Sequence, residues 1–568
     1  MPNPPRRAIA AITLLALLTL SGCASRPTAS DGPSTRGAAT QSGDPAARAA
    51  RLVGTLSDED LVGQVLMPYA YGSAATTVSA ASAAGNRKLA GVDTPAEMVA
   101  KYRLGGLILV GFSADDPTGK NQPTSNVDNP QQVRALTTGL QDAAAALPTG
   151  KGAAPLLVGT DQEYGVVTRI RSGVTALPSA MAFGAAGDPT LTEGAWRAAG
   201  TELAALGVNL NFAPVADVLG AQSAVIGSRS YGSDPRATAA QVGAAVRGLE
   251  GAGVAATLKH FPGHGHTAAD SHKALPVLAQ NRQALDARDL PPFTAGIDAG
   301  ASLVMSGHLD VRAVDPGTPA TFSRKLLTDV LRNQMGFKGV VVTDGMNMEP
   351  AMRWPAGEAA VRAINAGNDL LLMPPDVTGA YDGLLGALRG GDLPRERLVD
   401  AVTHVLTLKF RLAAGHAPEM STLNSAAHRE VVQRLGAAAI SQLRGSCTQT
   451  ALRGPVTVTA SAGRDATRQL LTEALRAAGA KVVPTGGTKV HLVGYGDTAK
   501  DLSPDAAVTV AMDTPNVLTG AKSPVLLATY SSSSVSMSAL ASVLTGRATA
   551  PGRSPVAVPG LPATVCAS

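Results

Sequence analysis

The sequence feature that most constrains the fold is a series of short apolar runs separated by alanine-rich stretches of helical character. The runs show little alternation with polar residues, which is typical of strands buried on both faces of a parallel sheet. Seven such runs are recognisable: Gly106–Val110, Leu156–Gly159, Val208–Phe212, Ala255–Leu258, Ser302–Met305, Val340–Val342 and Asp369–Met373. The helical stretches between them include Asp188–Leu206 and Arg236–Ala252. This βα series predicts a (β/α)8 barrel of the TIM type, and because an eighth strand cannot be placed, a partial or irregular barrel stays open.

A second, smaller α/β domain is predicted beyond the helix Leu398–Ala413. A chain of 568 residues exceeds one ordinary domain, so further domains are expected. Strand-like runs separated by helices recur toward the C-terminus: Val456–Thr459, Val490–Gly494, Val508–Met512 and Val525–Tyr530. We therefore assign residues 48–415 to the barrel, 416–449 to a linker or helical connection and 450–568 to a layered α/β sandwich. The sandwich has no evident cluster of histidines or carboxylates, which indicates a supporting role or one wall of a cleft.

The N-terminus carries a targeting signal. Arg6 and Arg7 precede the apolar run Ala8–Leu20, which is too short for a membrane span and is typical of a signal peptide. The following sequence Leu-Ser-Gly-Cys resembles the bacterial lipobox, and this resemblance makes Cys23 the lipidated residue. We therefore expect a lipoprotein signal in residues 1–23 and a flexible tether in residues 24–47, with the protein anchored by lipid to the cell membrane, outside the cytoplasm. An ordinary signal peptide with a fortuitous cysteine is the competing interpretation.

The two other cysteines, Cys447 and Cys566, lie at the two ends of the predicted sandwich. In an oxidising compartment, two such thiols favour a disulfide that closes the domain, although two separate thiols stay possible. Closing so long a loop would contribute around 4 kcal/mol. Neither cysteine lies in a pattern that indicates catalysis.

Polar and charged residues follow most of the predicted barrel strands. In chain order the strand ends read Asp161-Gln162-Glu163, Asn211-Phe212-Ala213-Pro214, Lys259-His260-Phe261-Pro262, Ser306-Gly307-His308, Thr343-Asp344-Gly345 and Met373-Pro374-Pro375. Barrel enzymes place their active sites at the C-terminal ends of the strands. The pattern therefore predicts an enzyme whose active site lies at this end of the barrel.

Four motifs together resemble glycoside hydrolase family 3, and specifically its β-N-acetylglucosaminidase branch. They are KHFPGHGHTAADSH (Lys259–His272), DQEYGVVTR (Asp161–Arg169), IGSRSYG (Ile226–Gly232) and VVTDGMNM (Val341–Met348). The similarity covers roughly residues 50–415, and the tail Ala539–Gly560 resembles the second domain of the family. The resemblance implies a β-N-acetylhexosaminidase that releases terminal β-linked N-acetylglucosamine through a covalent glycosyl-enzyme with retention of configuration.

The resemblance also assigns roles to residues. Asp344 matches the nucleophile, which must stay ionised to attack the anomeric carbon. Most retaining glycosidases use a second carboxylic acid as acid/base, but in this branch the resemblance points to His272, paired with Asp270. An imidazole can protonate the leaving oxygen and then activate water, and a neighbouring carboxylate fixes its tautomer. The positions that match sugar-binding residues are Asp161, Arg169, Arg229, Lys259 and His260.

Several residues near these motifs have no settled role. His308 follows a strand, where either pocket lining or an internal hydrogen bond would explain it. Glu163 is expected to support the site without taking part in the chemistry. Where the family usually has Gly-Gly-Arg, this chain has Tyr164-Gly165-Val166, and where many relatives have a second Asp it has Gly345. The fine substrate specificity is therefore left open.

A metallohydrolase is the competing interpretation of the histidine-rich loop. His264, His266, Asp270 and His272 would supply enough ligands for zinc. However, Lys259 in the same wall disfavours a cation, and the sequence offers no second His/Asp cluster for a binuclear centre. We therefore expect neither a metal nor another cofactor.

Other functions compete with hydrolysis of N-acetylglucosaminides. The protein could be a phosphorylase or a β-glucosidase of the same family, or a non-catalytic lipoprotein that binds cell-wall sugars.

The expected partners follow from compartment, charge and resemblance. A diffuse net charge of +5 without a run of Lys or Arg argues against nucleic acid. The expected substrates are muropeptides that contain N-acetylglucosamine, or other β-N-acetylglucosaminides. The membrane is a partner only through the predicted lipid at Cys23, and a monomer is expected.

Overall fold

The structure is a computed structural model that describes residues 43–111, 124–147, 154–220, 223, 225–415, 417–447 and 452–566. The predicted signal peptide, Cys23 and the tether up to residue 42 lie outside these residues. The first described helix begins at Pro45, inside the segment assigned to the tether, and the Asp44 side chain caps it by accepting from the backbone N of Ala47. Within the described part of the chain, none of the helices combines the length and apolar character that crossing a bilayer requires.

The described residues between Leu66 and Leu372 contain a barrel of eight parallel strands. The strands are numbered in chain order, and the numbering includes β6 and β8, which form a small separate pair outside the barrel. They are β1 Leu66–Met67, β2 Gly106–Leu109, β3 Leu157–Thr160, β4 Leu210–Asn211, β5 Ala255–Phe261, β6 Val277–Leu278, β7 Leu303–Ser306, β8 Asp310–Val311, β9 Val340–Thr343 and β10 Leu371–Leu372. Six of them pair in the order β2-β3-β4-β5-β7-β9. All barrel strands are buried, which explains their uniformly apolar sequences.

The barrel is closed by its shortest strands. β1 pairs with β10 in parallel, with Leu66 opposite Leu371. The backbone N of Ile108 donates to the carbonyl of Pro68 at 3.0 Å, which connects β1 to β2. A bridge between Val342 and Leu370 connects β9 to β10. The predicted TIM-type barrel is therefore confirmed, and the missing eighth strand is the two-residue β1, too short to stand out as an apolar run.

Helices surround the barrel and follow its strands. In chain order they are α1 Pro45–Val53, α2 Asp58–Gln64, α3 Ala80–Ala90, α4 Pro95–Tyr102, α5 Pro130–Ala145, α6 Ala180–Ala186, α7 Pro189–Ala205, α8 Pro235–Gly251, α9 Arg282–Ala284, α10 Pro291–Asp298, α11 Ala356–Ala366, α12 Val377–Gly390 and α13 Arg395–Leu412. A π-helical segment, Lys325–Gln334, stands between β8 and β9. The start of α2 shows why the sequence begins a helix there: Ser57 and Asp60 exchange side-chain-to-backbone hydrogen bonds as a capping box.

The C-terminal part forms a second sheet of five strands. Its elements are α14 Ala426–Ala439, β11 Ser441–Arg444, β12 Val456–Ala460, α15 Asp465–Ala477, β13 Thr488–Val493, β14 Val508–Ala511, β15 Val525–Ala528 and α16 Ser534–Leu544. The strand order is β11-β15-β14-β13-β12, with β11 antiparallel to the others. β11 and α14 lie in the segment that was predicted to be a linker or helical connection, so the strand β11 is the element that was not expected there. The sequence did not indicate this strand because its first two residues, Ser441 and Gln442, are polar although they are buried.

The end of the chain returns from this sheet to the barrel. The backbone N of Arg553 donates to the carbonyl of Ala185, and that of Ser233 donates to the carbonyl of Pro555, each at 3.0 Å. Cys566 then forms a disulfide with Cys447, across 119 residues, which is the pairing that the sequence favoured. The described residues from Asp44 onward consequently form one compact unit that contains both sheets.

Replacing Cys447 with serine is expected to lower the free energy of unfolding by about 2–4 kcal/mol, because the unfolded chain regains the entropy of an open loop. Thermal unfolding followed by circular dichroism, with and without reductant, measures the loss. Reductant should lower the melting temperature of the wild type toward that of the variant and leave the variant unchanged. Equal melting temperatures for the oxidised wild type and the variant would contradict this prediction.

Candidate active site

A pocket opens at the C-terminal ends of the barrel strands. Seven of the eight residues predicted to act on or bind a sugar line it: Asp161, Arg169, Arg229, Lys259, His260, His272 and Asp344. The eighth, Asp270, is not among the lining residues but is hydrogen-bonded to His272, which lines the pocket. An apolar part of the wall is formed by Val110, Val167, Met305, Met348 and Met373. Residues that are up to 183 positions apart in the chain, from Asp161 to Asp344, thus line one pocket, as expected for residues at the C-terminal ends of barrel strands.

Asp344 directly follows β9 and is held by the backbone on both sides. Its N–H donates to the carbonyl of Ser306 at 3.0 Å, and its Oδ1 accepts from the N–H of Gly345 at 2.8 Å. Burial raises the pKa of this carboxyl, but His260, then His308 and His272, outweigh burial and lower the pKa to about 2. The side chain is therefore an ionised carboxylate at neutral pH, which is what a nucleophile at this position requires.

His308 makes internal hydrogen bonds, which is one of the two interpretations that the sequence left open, the other being that it lines the pocket. The side chain is fully buried and does not line the pocket. Because a carbonyl can only accept, Nε2 donates to the oxygen of Gly345 at 2.9 Å, and Nδ1 then accepts from Oγ1 of Thr321 at 2.8 Å. Burial lowers the pKa of His308. This histidine therefore holds the backbone next to Asp344 through internal hydrogen bonds.

Asp270 and His272 form a pair within a turn. Oδ1 of Asp270 accepts from the backbone N–H of His272 at 3.0 Å and from its Nδ1 at 2.8 Å. Burial raises the pKa of Asp270, but the hydrogen bonds from His272 outweigh it and lower the pKa to about 2. Since an ionised carboxylate only accepts, Nδ1 of His272 carries a proton, and Nε2 is the ring atom that can give a second proton to the substrate or take one from it.

The predicted sugar-binding residues form a network of buried charges. Nζ of Lys259 lies 2.8 Å from Oδ1 of Asp161 and 2.6 Å from Oε1 of Glu163. Glu163 also accepts two hydrogen bonds from the guanidinium of Arg229, at 2.7 and 2.8 Å. Arg169 lies 3.7 Å from Asp161 on the other side. Glu163, expected only to support the site, therefore holds two of the cations that the sequence analysis assigned to the sugar.

The charges in this network stabilise one another. Burial raises the pKa of Glu163, but Arg229 and Lys259 outweigh it and hold the pKa well below its usual range. Burial acts in the opposite direction on Lys259, where Asp161 and Glu163 keep the pKa above its usual value. The arrangement gives the pocket a fixed set of oriented donors and acceptors without mobile charges.

Replacing Glu163 with glutamine is expected to lower the free energy of unfolding by about 3 kcal/mol, because Arg229 and Lys259 lose the carboxylate that compensates their buried charges. Denaturant unfolding measures this effect. Glu358→Gln is the matched control, since Glu358 forms an exposed pair with Arg362 and its loss should cost less than about 0.5 kcal/mol. Equal losses for the two variants would show that the network does not contribute to stability.

Asp217 is a site residue that the sequence analysis missed. Its fully buried carboxylate accepts from Nδ1 of His260 at 2.8 Å and from the backbone N–H groups of His260 and His264. Burial raises its pKa, but His260 outweighs burial and the pKa is lowered. The sequence did contain an indication of Asp217, because this residue lies three positions beyond Pro214, the last residue of the predicted strand end that follows β4. Extending that strand-end segment by three residues would have found it.

The histidines of the loop are engaged separately. Nδ1 of His264 lies 2.6 Å from Oγ1 of Thr267, and Nδ1 of His266 lies 3.1 Å from Oδ1 of Asp289. Burial lowers the pKa of His264 to about 4. The one group of described residues with the spacing of metal ligands is elsewhere, at Asp369, Asp400 and His404, and Arg332 and Arg397 already neutralise Asp369. The arrangement of the loop gives no support to a zinc site.

A TIM-type barrel with an ionised carboxylate, an aspartate-paired histidine and a wall of fixed polar groups at its strand ends fits the class of glycoside hydrolases. Comparison with known proteins gives the family. Residues 60–408 match the model of the glycosyl hydrolase family 3 N-terminal domain. The chain therefore belongs to glycosyl hydrolase family 3, as its motifs indicated.

Similar proteins carry related names. The chain is 34% identical to "Beta-hexosaminidase A" of Pseudoalteromonas piscicida over 380 residues, which cover 61% of this chain and 60% of that protein. It is 39% identical to "Beta-hexosaminidase" of Pseudomonas aeruginosa (strain LESB58) over 280 residues, 48% of this chain and 80% of that protein. The first match thus spans less than two thirds of the relative's length, and the names support the predicted enzyme type.

One solved structure resembles nearly the whole chain. It is a glycoside hydrolase family 3 β-N-acetylglucosaminidase from Paenibacillus sp. str. FPU-7, with a TM-score of 0.76 and 32% sequence identity. The match covers 90% of this chain and 100% of that one, so it includes both sheets. The predicted combination of a barrel and a smaller α/β domain is confirmed.

Proposed function

We propose that this protein is a retaining exo-β-N-acetylglucosaminidase that acts on fragments of peptidoglycan. The observation that carries the proposal is that an ionised Asp344 and the Asp270-paired His272 line the same pocket as the five residues predicted to bind a sugar. The names of the similar proteins support the choice of N-acetylglucosamine as the sugar. The retaining mechanism, the substrate and the location are inferences of this proposal.

In the first step, an oxygen of Asp344 forms a bond to the anomeric carbon while the glycosidic bond breaks. The proton on Nε2 of His272 passes to the leaving oxygen, and Asp270 stabilises the ring on its other side through Nδ1. The low pKa of Asp344 keeps the attacking group ionised. The product of this step is a glycosyl-enzyme ester and the free aglycone.

In the second step, Nε2 of His272 takes a proton from water as the water oxygen attacks the anomeric carbon. The ester bond to Asp344 breaks, which regenerates the carboxylate and the protonated histidine. Two displacements at the same carbon restore the β configuration. Arg169, Lys259 and the other predicted sugar contacts orient the substrate for both steps, because the charge network fixes their side chains.

The proposed location is the outer face of the cell membrane, with a lipid on Cys23. It is supported by the signal-peptide pattern and by the resemblance of Leu20–Cys23 to a lipobox. A location next to the cell wall is the reason for proposing muropeptides as substrates. Metabolic labelling with a palmitate analogue tests the anchor, and Cys23→Ser is expected to abolish the labelling.

The function is tested with a panel of substrates and the purified wild type. We expect release of p-nitrophenol from its β-N-acetylglucosaminide, slower release from the β-glucoside, and release of N-acetylglucosamine from a GlcNAc-anhydroMurNAc disaccharide. Proton NMR of the first product formed should show the β anomer. An α anomer would exclude retention, inactivity on every glycoside would favour a binding protein, and turnover that requires phosphate with release of a sugar phosphate would identify a phosphorylase.

A further inference from the structure

We propose that Asp217 is a positioning residue, which fixes the tautomer of His260 in the sugar pocket and the start of the loop that carries His272. This inference rests on the proposed function for its consequence in catalysis. Asp217 itself does not line the pocket. It therefore acts through the residues that it holds.

The carboxylate of Asp217 is fully buried and accepts three N–H groups. Oδ2 accepts from Nδ1 of His260 at 2.8 Å. Oδ1 accepts from the backbone N of His260 at 3.1 Å and from that of His264 at 2.7 Å. The backbone carbonyl of Asp217 in addition accepts from Oγ of Ser230 at 2.7 Å, next to Arg229. One residue thus connects three segments that contribute to the pocket wall.

These contacts determine which nitrogen of His260 carries the proton. An ionised carboxylate cannot donate, so Nδ1 of His260 is protonated and donates to Oδ2 of Asp217. Nε2 is then the atom on the opposite side of the ring, 3.5 Å from Nη2 of Arg229. His260 lines the pocket. The tautomer of this ring therefore determines whether Nε2 accepts from or donates to a polar group of the sugar.

The second consequence concerns the loop from His264 to His272. Oδ1 of Asp217 holds the backbone of His264, whose ring Nδ1 lies 2.6 Å from Oγ1 of Thr267. The backbone N of Gly220 donates to the carbonyl of Gly265 at 2.7 Å, close to the same point. The start of the loop is therefore fixed to the barrel, and the Asp270–His272 pair follows within a few residues.

Asp217→Asn tests the inference, because asparagine has the same shape but one acceptor oxygen. That oxygen is needed by the two backbone N–H groups, so the amide NH2 faces Nδ1 of His260 and forces the proton to Nε2. We expect kcat/KM to fall about 100-fold, in the range found for groups that orient a functional histidine. In the His260→Ala background, the same substitution should cost less than about threefold, since its effect passes through that ring. Equal losses in the two backgrounds would overturn the proposal.

The tautomer is measured directly by NMR of protein labelled with 15N-histidine, with His260 assigned from the signal lost in His260→Ala. We expect the Nδ1–H form in the wild type and the Nε2–H form in Asp217→Asn. An Nε2–H form in the wild type would overturn the proposal, even if Asp217→Asn fails to fold. This readout requires no activity, so an inactive wild type would refute the proposed function and leave the tautomer result standing.

Glu202→Gln is the matched control for the substitution of a buried carboxylate. Glu202 is 1% exposed and lies 2.7 Å from Nδ1 of His428, outside the sugar pocket. We expect this variant to lose stability without changing the tautomer of His260, and its fold-change in kcat/KM should be the same with or without His260. A changed His260 tautomer in this control would show that the NMR signal reports general loosening, which would overturn the assignment to Asp217.

Discussion

Asp344→Asn is expected to lower kcat/KM for the p-nitrophenyl β-N-acetylglucosaminide by roughly 10⁴- to 10⁶-fold, the range for loss of a covalent nucleophile. The amide is neutral and nearly the same size, so binding of the sugar should change far less than the rate of the chemical step. The structure explains why the charge matters: with a pKa of about 2, the carboxylate is ionised throughout the pH range in which the protein would be assayed. Steady-state kinetics and mass spectrometry of the trapped intermediate measure the effect.

The shorter variant Asp344→Gly separates a missing nucleophile from a damaged fold. Azide added to this variant can attack the anomeric carbon directly, and a single displacement should give the α-glycosyl azide. Asp315→Asn is the matched control, since Asp315 pairs with Lys325 outside the pocket and its loss should leave kcat/KM within about twofold. Activity in Asp344→Asn close to that of the wild type would refute the assigned role.

His272→Ala is expected to lower kcat/KM by about 10²- to 10⁴-fold on a disaccharide, whose leaving oxygen needs a proton. The loss should be much smaller on a dinitrophenyl glycoside, whose leaving group departs without one. Steady-state kinetics on the two substrates measure both losses.

Asp270→Asn provides an intermediate case. The ring of His272 remains but loses the carboxylate that holds Nδ1–H, so we expect a loss of about 10- to 100-fold.

Azide should rescue His272→Ala with formation of the β-glycosyl azide, the opposite configuration to that expected for Asp344→Gly. If His272→Ala lost the same factor of kcat/KM on the disaccharide and on the dinitrophenyl glycoside, His272 would not be the acid.

The sequence was most informative where the physical rule is local. Buried parallel strands require apolar residues on both faces, so seven barrel strands were visible as apolar runs, and the residues after them could be predicted to share one pocket. β1 was not predicted because its two residues, Leu66 and Met67, are too few to form a recognisable apolar run. β11 escaped because Ser441 and Gln442 are buried polar residues, which a pattern of apolar residues cannot indicate.

Within the site, residue types were predictable and their pairings were not. Motifs identified Lys259, Arg229 and His260 as parts of the wall, but the sequence did not reveal that Glu163 binds two of them or that Asp217 holds the third. These pairings join residues from different segments that follow or flank the strands, and their geometry depends on how the barrel closes. His308 illustrates the same limit: its position after β7 was clear, whereas its two hydrogen-bond partners, Thr321 and Gly345, lie 13 and 37 residues further along the chain.

The pairing of β1 with β10 has a consequence for the order in which the chain can fold. Leu66 and Leu371 are neighbours in the barrel, so the barrel cannot close until the ribosome has made most of the catalytic domain. Contacts between residues so distant in sequence form slowly, and a nascent chain that lacks β10 exposes β1 and β9 as open edges. Such a chain would stay unclosed during synthesis. Fragments that stop before Leu371 are accordingly expected to aggregate, and production as a full-length chain is expected to be the productive route.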